Sequence, residues 1–113
     1  MTKEEYLSAE SILVRIDGTS CEPYLNKGKV YKVRKSDFYD LGDFIVFWVT
    51  DEQRAWAESL GFELHSDYLV KQVSGWSDER YAVRSTQPNG VSSNCIGLIN
   101  KKYIIGKIEC EVN

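Results

Sequence analysis

The sequence predicts a single, mostly β domain, folded as a coiled sheet or partly open β-barrel with one or two short helices. Its 113 residues suffice for one hydrophobic core and leave no room for a second. About six short apolar or alternating segments are separated by turn residues, as in small β proteins. The apolar fraction of 42% is ordinary for a globular chain, which excludes general disorder. Residues 1–113 are therefore expected to form one domain.

The N-terminal part predicts a helix followed by two strands. Thr2 and Glu5 match a capping box, which predicts a short helix within residues 1–10. Residues 11–16 (SILVRI) form the first predicted strand, and residues 29–34 alternate between two faces, as a second strand does. Both strands are expected in the one sheet of the domain.

The middle of the chain predicts the most buried strand and a helical insertion. Residues 44–49 (FIVFWV) are apolar throughout, which indicates burial on both faces of a sheet. Thr50 and Gln53 form a second capping box, which opens a helical insertion over residues 51–62. Gly61 stands where a left-handed C-cap belongs.

Within this insertion, Trp56 and Leu60 are one helical turn apart and share a face. Because amphipathic helices usually pack on their own domain, we expect this face to cover the sheet. The alternative is that Trp56, Leu60 and the following Phe62 border a substrate groove or contact a partner.

The C-terminal half predicts three more strands, over residues 67–73, 80–84 and 103–108. The segment between the last two, residues 85–97, is rich in turn residues, including a Pro-Asn-Gly sequence. No internal repeat or low-complexity linker interrupts this pattern, which favours a single sheet.

Charge and cysteine content argue against several functions. The net charge is −3 and the 14 basic residues are scattered, so no nucleic-acid partner is expected. The three cysteines, Cys21, Cys95 and Cys110, lack CxxC spacing, and the single His65 is distant in sequence, so no metal site is expected. Free, mostly buried thiols predict a reducing, cytoplasmic location. No apolar run is suited to a secretory signal or a membrane span.

The segment Gly-Thr-Ser-Cys-Glu-Pro, residues 18–23, directly follows the first predicted strand. A serine held between glycine and a proline-stiffened turn can expose its hydroxyl, and nearby backbone N–H groups can bind an oxyanion. Ser20 is therefore a candidate nucleophile, with Gly18 and Cys21 as parts of its loop. The same residue types also make ordinary loops, so this segment alone does not establish Ser20 as a nucleophile.

Lys71 lies in the predicted strand Tyr-Leu-Val-Lys-Gln-Val. The strand period of two puts Leu69, Lys71 and Val73 on one face, so the flanks of the lysine are apolar. If this face is turned to the core, desolvation lowers the pKa of the amine and makes it available as a general base. The alternative is an edge-strand lysine whose ammonium group stays in water.

Four segments in order resemble the bacterial signal peptidase I family. They are GTSCEP, the stretch from KGKVYKVRK to GDFIVFW, YLVKQVSGW with the strand after it, and GLINKKYIIGKI. The resemblance runs from about residue 12 to residue 108. LexA-type self-cleaving repressor domains share the Ser–Lys chemistry, but the long late segment is more similar to signal peptidase.

The resemblance implies a serine endopeptidase that cleaves a peptide bond in another protein, as a processing or maturation protease. Ser20 would be the nucleophile, Lys71 the general base, and Ser93 the residue that orients Lys71. The backbone N–H of Ser20 would supply part of the oxyanion hole. No metal or cofactor is required, and the partner is a protein or peptide substrate.

Several positions depart from the family pattern. Gly18 offers no hydroxyl where some members carry one, and Cys21 replaces the usual methionine. Gln72 replaces the common arginine after the lysine. Ser92 and Asn94 replace the charged neighbours of the late serine, Ser93, so ionic support for that loop is lost.

Three other functions are weighed against proteolysis. A non-catalytic module that binds a peptide or protein on the same sheet, with Ser20 idle, is the main alternative. Self-cleaving repressors are cut at Ala-Gly or Cys-Gly, and neither dipeptide occurs in this sequence. An oligonucleotide-binding barrel would need a basic face with aromatic residues, which the acidic balance argues against.

Overall fold

The structure, a computed structural model, describes residues 1–18, 21–87 and 96–112 and contains an antiparallel seven-stranded sheet that does not close into a barrel. The predicted mostly β single domain is confirmed. The strands are β1 (Ser11–Arg15), β2 (Val30–Arg34), β3 (Phe44–Trp48), β4 (Tyr68–Ser77), β5 (Arg80–Arg84), β6 (Ile99–Asn100) and β7 (Ile104–Val112). The helices are α1 (Lys3–Ser8), α2 (Asp51–Ser59) and one 3-10 turn (Lys101–Tyr103).

The strand order is β1-β2-β7-β3-β4-β5-β6, which places the last strand in the interior of the sheet. The C-terminal part of β7 pairs with β2, and its N-terminal part pairs with β3. Gly106 lies at this crossover, where an added Cβ would stand 2.7 Å from the backbone carbonyl of Arg34. The close approach of β2 to β7 therefore requires glycine at this position.

The buried residues form three clusters. The main cluster contains Tyr39, Ile45, Phe47, Ala57, Val73, Tyr81, Val83, Ile96, Ile99 and Ile104. The second contains Val14, Val33, Val46 and Ile105, and the third contains Ile16, Cys21, Leu25 and Tyr31. Because Ile45 and Val46 belong to different clusters, β3 is buried on both faces, as its unbroken apolar sequence predicts.

Both predicted capping boxes are present. The amide of Glu5 donates to Thr2 Oγ1 at 3.2 Å, and the amide of Gln53 donates to Thr50 Oγ1 at the same distance. Gly61 follows α2 with φ of 90°, the left-handed conformation that glycine adopts without strain. Local side-chain chemistry therefore fixes where both helices begin.

The predicted packing face of α2 is wrong. Trp56 and Leu60 are 57% and 51% exposed, while Ala57 is fully buried in the main cluster. Phe62 and Leu64, which follow the helix, also pack against that cluster. The helix turns its Ala57 side toward the main cluster, where the small side chain allows a close approach. The larger side chains of Trp56 and Leu60 therefore point outward.

The described cysteines differ in burial, although the thiols were expected to be mostly buried. Cys21 is buried, as predicted, but Cys110 is exposed because it lies on the part of β7 beyond its pairing with β3. Cys95 lies outside the described residues. Among residues 1–18, 21–87 and 96–112, no helix is long and apolar enough to cross a membrane.

Candidate active site

The loop between β1 and β2 is fixed at its base. The amide of Ile16 donates to Lys29 O at 3.0 Å, and the amide of Gly28 donates to Ile16 O at 2.7 Å. These bonds extend the β1–β2 pairing by one step, so the loop leaves and rejoins the sheet at one place. Ser20, the predicted nucleophile, belongs to this loop in sequence but lies outside the described residues.

The same loop is also held by its own small core. Cys21 and Leu25 are buried, and with Ile16 and Tyr31 they form the third cluster. The amides of Tyr24 and Leu25 both donate to Cys21 O, at 3.0 and 2.9 Å. The chain is therefore anchored immediately after Ser20, by packing and by hydrogen bonds.

Cys21 connects this loop to the lysine strand. Its thiol donates to the carbonyl oxygen of Val70, with a sulfur–oxygen distance of 3.2 Å. Val70 precedes Lys71 in β4. The residue after the predicted nucleophile therefore contacts the residue before the predicted base.

Lys71 is 4% exposed and is the only buried charged side chain among the described residues. It lies opposite Ile45 in the sheet, on the same face as Val73, and both neighbours belong to the main cluster. The prediction that this lysine faces the core is confirmed, and the alternative of a water-exposed lysine is wrong. Burial of this kind penalises the ammonium form relative to the neutral amine.

A cavity of about 160 Å³ lies between the loop and β4. Gly18, Cys21 and Lys71, three of the predicted site residues, all line it. The rest of its wall is formed by Arg15, Ile16, Asp17, Ser66, Tyr68, Leu69 and Val70. The structure thus brings residues that are about 50 positions apart in sequence to one small space.

Tyr68 gives this cavity a neutral hydroxyl. Burial raises the pKa of the Tyr68 phenol, and Tyr6 and Asp17 raise it further by smaller amounts. Asp17 and Tyr68 both line the cavity, so an ionised phenol there would stand near a carboxylate. Tyr68 therefore remains a hydrogen-bond donor at neutral pH.

β4 presents a second recognition feature beside the cavity. Its residues 68–71 pair with β3, whereas its pairing with β5 begins only at Gln72. The amide of Val49 donates to Asp67 O on the β3 side, so strand alternation turns the N–H and C=O groups of Tyr68 and Val70 to the other side. We call this side, over residues 68–70, the outer edge of β4. Within the part of the chain that is described, no strand pairs with it.

The segment after β5 is bonded to the nucleophile loop. Thr86 Oγ1 donates to Glu22 O at 2.9 Å, and Gln87 Nε2 donates to the same oxygen at 2.7 Å. Ser93, predicted to orient Lys71, follows in this segment but lies outside the described residues. Thr86 and Gln87 were not predicted, because nothing in a polar turn indicates contact with a loop more than 60 residues away.

A larger cleft of about 770 Å³ lies beside α2, with Trp48, Trp56, Leu98 and Tyr103 in its wall. Its charged residues, Lys3, Asp51, Glu52 and Arg80, are not buried. The smaller cavity is the candidate active site because it contains the buried amine. Among the described residues, no group of three or more His, Cys, Asp or Glu could hold a metal ion.

Comparison with known proteins adds no assignment. No protein-family model matches this chain, and a search of the curated proteins finds no match either. The function must therefore be argued from the site itself.

Proposed function

We propose that this protein is a serine endopeptidase in which Ser20 is the nucleophile and Lys71 is the general base. The observation that carries the proposal is the position of Lys71. It is the one buried charged side chain of the described residues, and it lines a cavity with Gly18 and Cys21, the described residues that bracket Ser20 in the sequence. A buried amine beside a serine-bearing loop is the arrangement that Ser–Lys proteolysis needs.

The reaction proceeds in two steps. Neutral Lys71 takes the proton from Ser20 Oγ as the oxygen attacks the carbonyl carbon of the scissile bond, and the protonated lysine then donates that proton to the leaving amine. The resulting serine ester is hydrolysed by a water that the same amine deprotonates. Backbone N–H groups of the loop stabilise the negative charge on the carbonyl oxygen. The reaction calls for no metal or cofactor.

The substrate is an extended segment of another protein. The outer edge of β4 offers the N–H and C=O groups of Tyr68 and the N–H of Val70 to an added strand, while Cys21 already donates to Val70 O. A strand placed there passes the cavity that Lys71 lines. The small volume of this cavity suits a short side chain at the cleavage site.

Ser93 has the role of orienting Lys71. The chain reaches Ser93 six residues after Gln87, and Gln87 is bonded to the carbonyl of Glu22 in the nucleophile loop. The bond holds Gln87, six residues before Ser93, against the loop that contains Ser20. A hydroxyl from Ser93 would accept or donate one hydrogen bond to the amine and restrict its rotation.

A fluorophosphonate probe tests the proposal. The protein should be labelled covalently, the label should map to Ser20 by mass spectrometry, and Ser20→Ala should remain unlabelled. Ser92→Ala is the matched control and should be labelled at the parent rate. If the folded parent protein resists the probe and cleaves no member of a peptide library, the protease proposal is wrong.

The second candidate function is a non-catalytic module that binds a peptide along the outer edge of β4. The observation that favours it is this edge itself, which can add a strand with or without chemistry. A peptide from the library that binds the parent and Ser20→Ala equally well, and that stays intact, would establish binding as the function.

A further inference from the structure

We propose that Thr86 and Gln87 are positioning residues that hold the loop containing Ser20 in place for catalysis. This inference rests on the proposed protease function. It assigns a role to two side chains that do not line the cavity.

The geometry that supports this role is convergence on a single oxygen. Glu22 O accepts from Thr86 Oγ1 at 2.9 Å and from Gln87 Nε2 at 2.7 Å, which saturates its two lone pairs. We call this pair of bonds the Glu22 clamp. Within the turn, the amide of Gln87 also donates to Ser85 Oγ at 3.1 Å, so the donor segment is itself ordered.

The clamp lies opposite a second attachment of the same short stretch of chain. Cys21 is bonded to β4 through Val70 O, and Glu22, the next residue, is bonded to the segment after β5. Cys21 and Glu22 are therefore fixed to two different parts of the fold. Through these attachments the clamp would act on the loop from the C-terminal side of Ser20.

The two donors differ in burial, so losing the hydroxyl of Thr86 should affect the loop more than losing the amide of Gln87. Thr86 is partly buried, whereas Gln87 is exposed, so water replaces the amide of Gln87 more easily than the hydroxyl of Thr86. Thr86→Val removes the hydroxyl and keeps the shape, and Thr86→Ser keeps the hydroxyl. This pair of variants separates the hydrogen bond from side-chain volume.

Alkylation of Cys21 by iodoacetamide reports on the loop without requiring activity. Cys21 is 3% exposed, while Cys110 is exposed and serves as the internal reference in the same digest. Thr86→Val should raise the alkylation rate of Cys21 by about 2- to 12-fold, the effect of one lost hydrogen bond, and leave that of Cys110 unchanged. Gln87→Ala should give a smaller increase, and Thr86→Ser should match the parent. If the double variant with Thr86→Val and Gln87→Ala shows the same alkylation rate at Cys21 as the parent, the clamp does not hold the loop.

Peptide cleavage then tests the positioning role. Thr86→Val should lower kcat by a similar factor with KM unchanged, because the clamp touches no substrate, and Thr86→Ser should restore kcat. A more reactive Cys21 with an unchanged kcat would overturn the role in catalysis. If the folded parent neither reacts with fluorophosphonate at Ser20 nor cleaves any peptide of the library, the protease proposal fails, and the alkylation of Cys21 still decides whether the clamp holds the loop.

Discussion

The Cys21 thiol and the Val70 carbonyl oxygen lie 3.2 Å apart, and through this contact the chain after Ser20 is attached to the strand that contains Lys71. Thiol donors are weak, and this one is buried. In the signal peptidase pattern that the sequence resembles, the position of Cys21 is usually a methionine. A smaller side chain at this position gains a hydrogen bond to β4 that a thioether cannot donate.

The first prediction concerns the two residues proposed to react. Ser20→Ala removes the nucleophile and Lys71→Met removes the base, so each should abolish most cleavage. Because the residues act as one unit, the double variant should be little worse than either single variant. The measurement is kcat/KM at matched folded concentration. Unchanged cleavage by Ser20→Ala would contradict the mechanism.

Lys71→Met also has a stability consequence that serves as a control. The methionine keeps the stem volume and replaces a desolvated amine at a nearly inaccessible position, so urea unfolding should show stability at least equal to that of the parent. A well-folded but inactive Lys71→Met protein ties the loss of activity to chemistry rather than to folding.

The second prediction separates the thiol of Cys21 from the serine beside it. Cys21→Ser keeps a donor for Val70 O and should retain substantial turnover, whereas Cys21→Ala leaves that carbonyl without the thiol and should lose more. Cleavage by both variants is compared with that of the parent. If Cys21→Ser alone abolishes activity while Ser20→Ala does not, the nucleophile is the thiol.

How far the sequence predicts the fold depends on whether the signal is local. The capping boxes at Thr2 and Thr50 were predicted because their residues lie three positions apart. The apolar flanks of Lys71 followed from the strand period of two, but that period left open whether the face meets the core, and the fold buries it. β6 was missed because two residues carry no period, and residues 74–77 of β4 were missed because Ser74 and Gly75 suggest an end, whereas the strand continues through a bulge.

The candidate site was predicted in part, for the same reason. The proximity of Gly18 and Cys21 to Lys71 followed from the resemblance to a family pattern and matches the cavity that they line. The Glu22 clamp could not be predicted, because its partners are 64 and 65 residues apart and share no periodic pattern. The outward face of α2 was mispredicted because the small Ala57, rather than Trp56 or Leu60, makes the contact with the core.

The third prediction tests the crossover at β7. Gly106→Ala would place a Cβ 2.7 Å from the backbone of Arg34, and neither strand can shift without breaking its pairing. The variant should lose about 1–3 kcal/mol of unfolding free energy, as overpacking does. Gly75→Ala is the matched control, since its Cβ would meet only Ala82 Cβ at 3.9 Å. Equal urea midpoints for the two variants would contradict this description of the sheet.

The fourth prediction concerns alkaline stability. Burial raises the pKa of Tyr39, whose hydroxyl accepts a hydrogen bond from the amide of Ser36. The unfolded chain therefore loses the phenol proton first, near pH 10, and stability falls as pH rises from there through the folded pKa. Burial also raises the pKa of Tyr68, so this phenol makes the fall of stability with rising pH steeper.

Tyr39→Phe isolates the first of these phenols. Its unfolding free energy should be lower than that of the parent at neutral pH, because the Ser36 amide loses its acceptor, but it should fall less steeply above about pH 10. Urea unfolding at stepped pH gives both quantities. A variant whose stability declines as steeply as that of the parent would show that Tyr39 does not contribute.

The last prediction is the pH dependence of cleavage. Only the neutral form of Lys71 accepts a proton, so kcat/KM should rise with pH along a single titration and reach a plateau, rather than fall on the alkaline side as it would with a required acid. Lys71 is 4% exposed, and burial favours the neutral amine, so we expect the rise to occur below the range of an exposed lysine. Thr86→Val should lower the plateau and leave the midpoint in place, because the clamp moves the serine loop and not the amine. A midpoint in the range of an ordinary exposed lysine would mean that Lys71 is not the base.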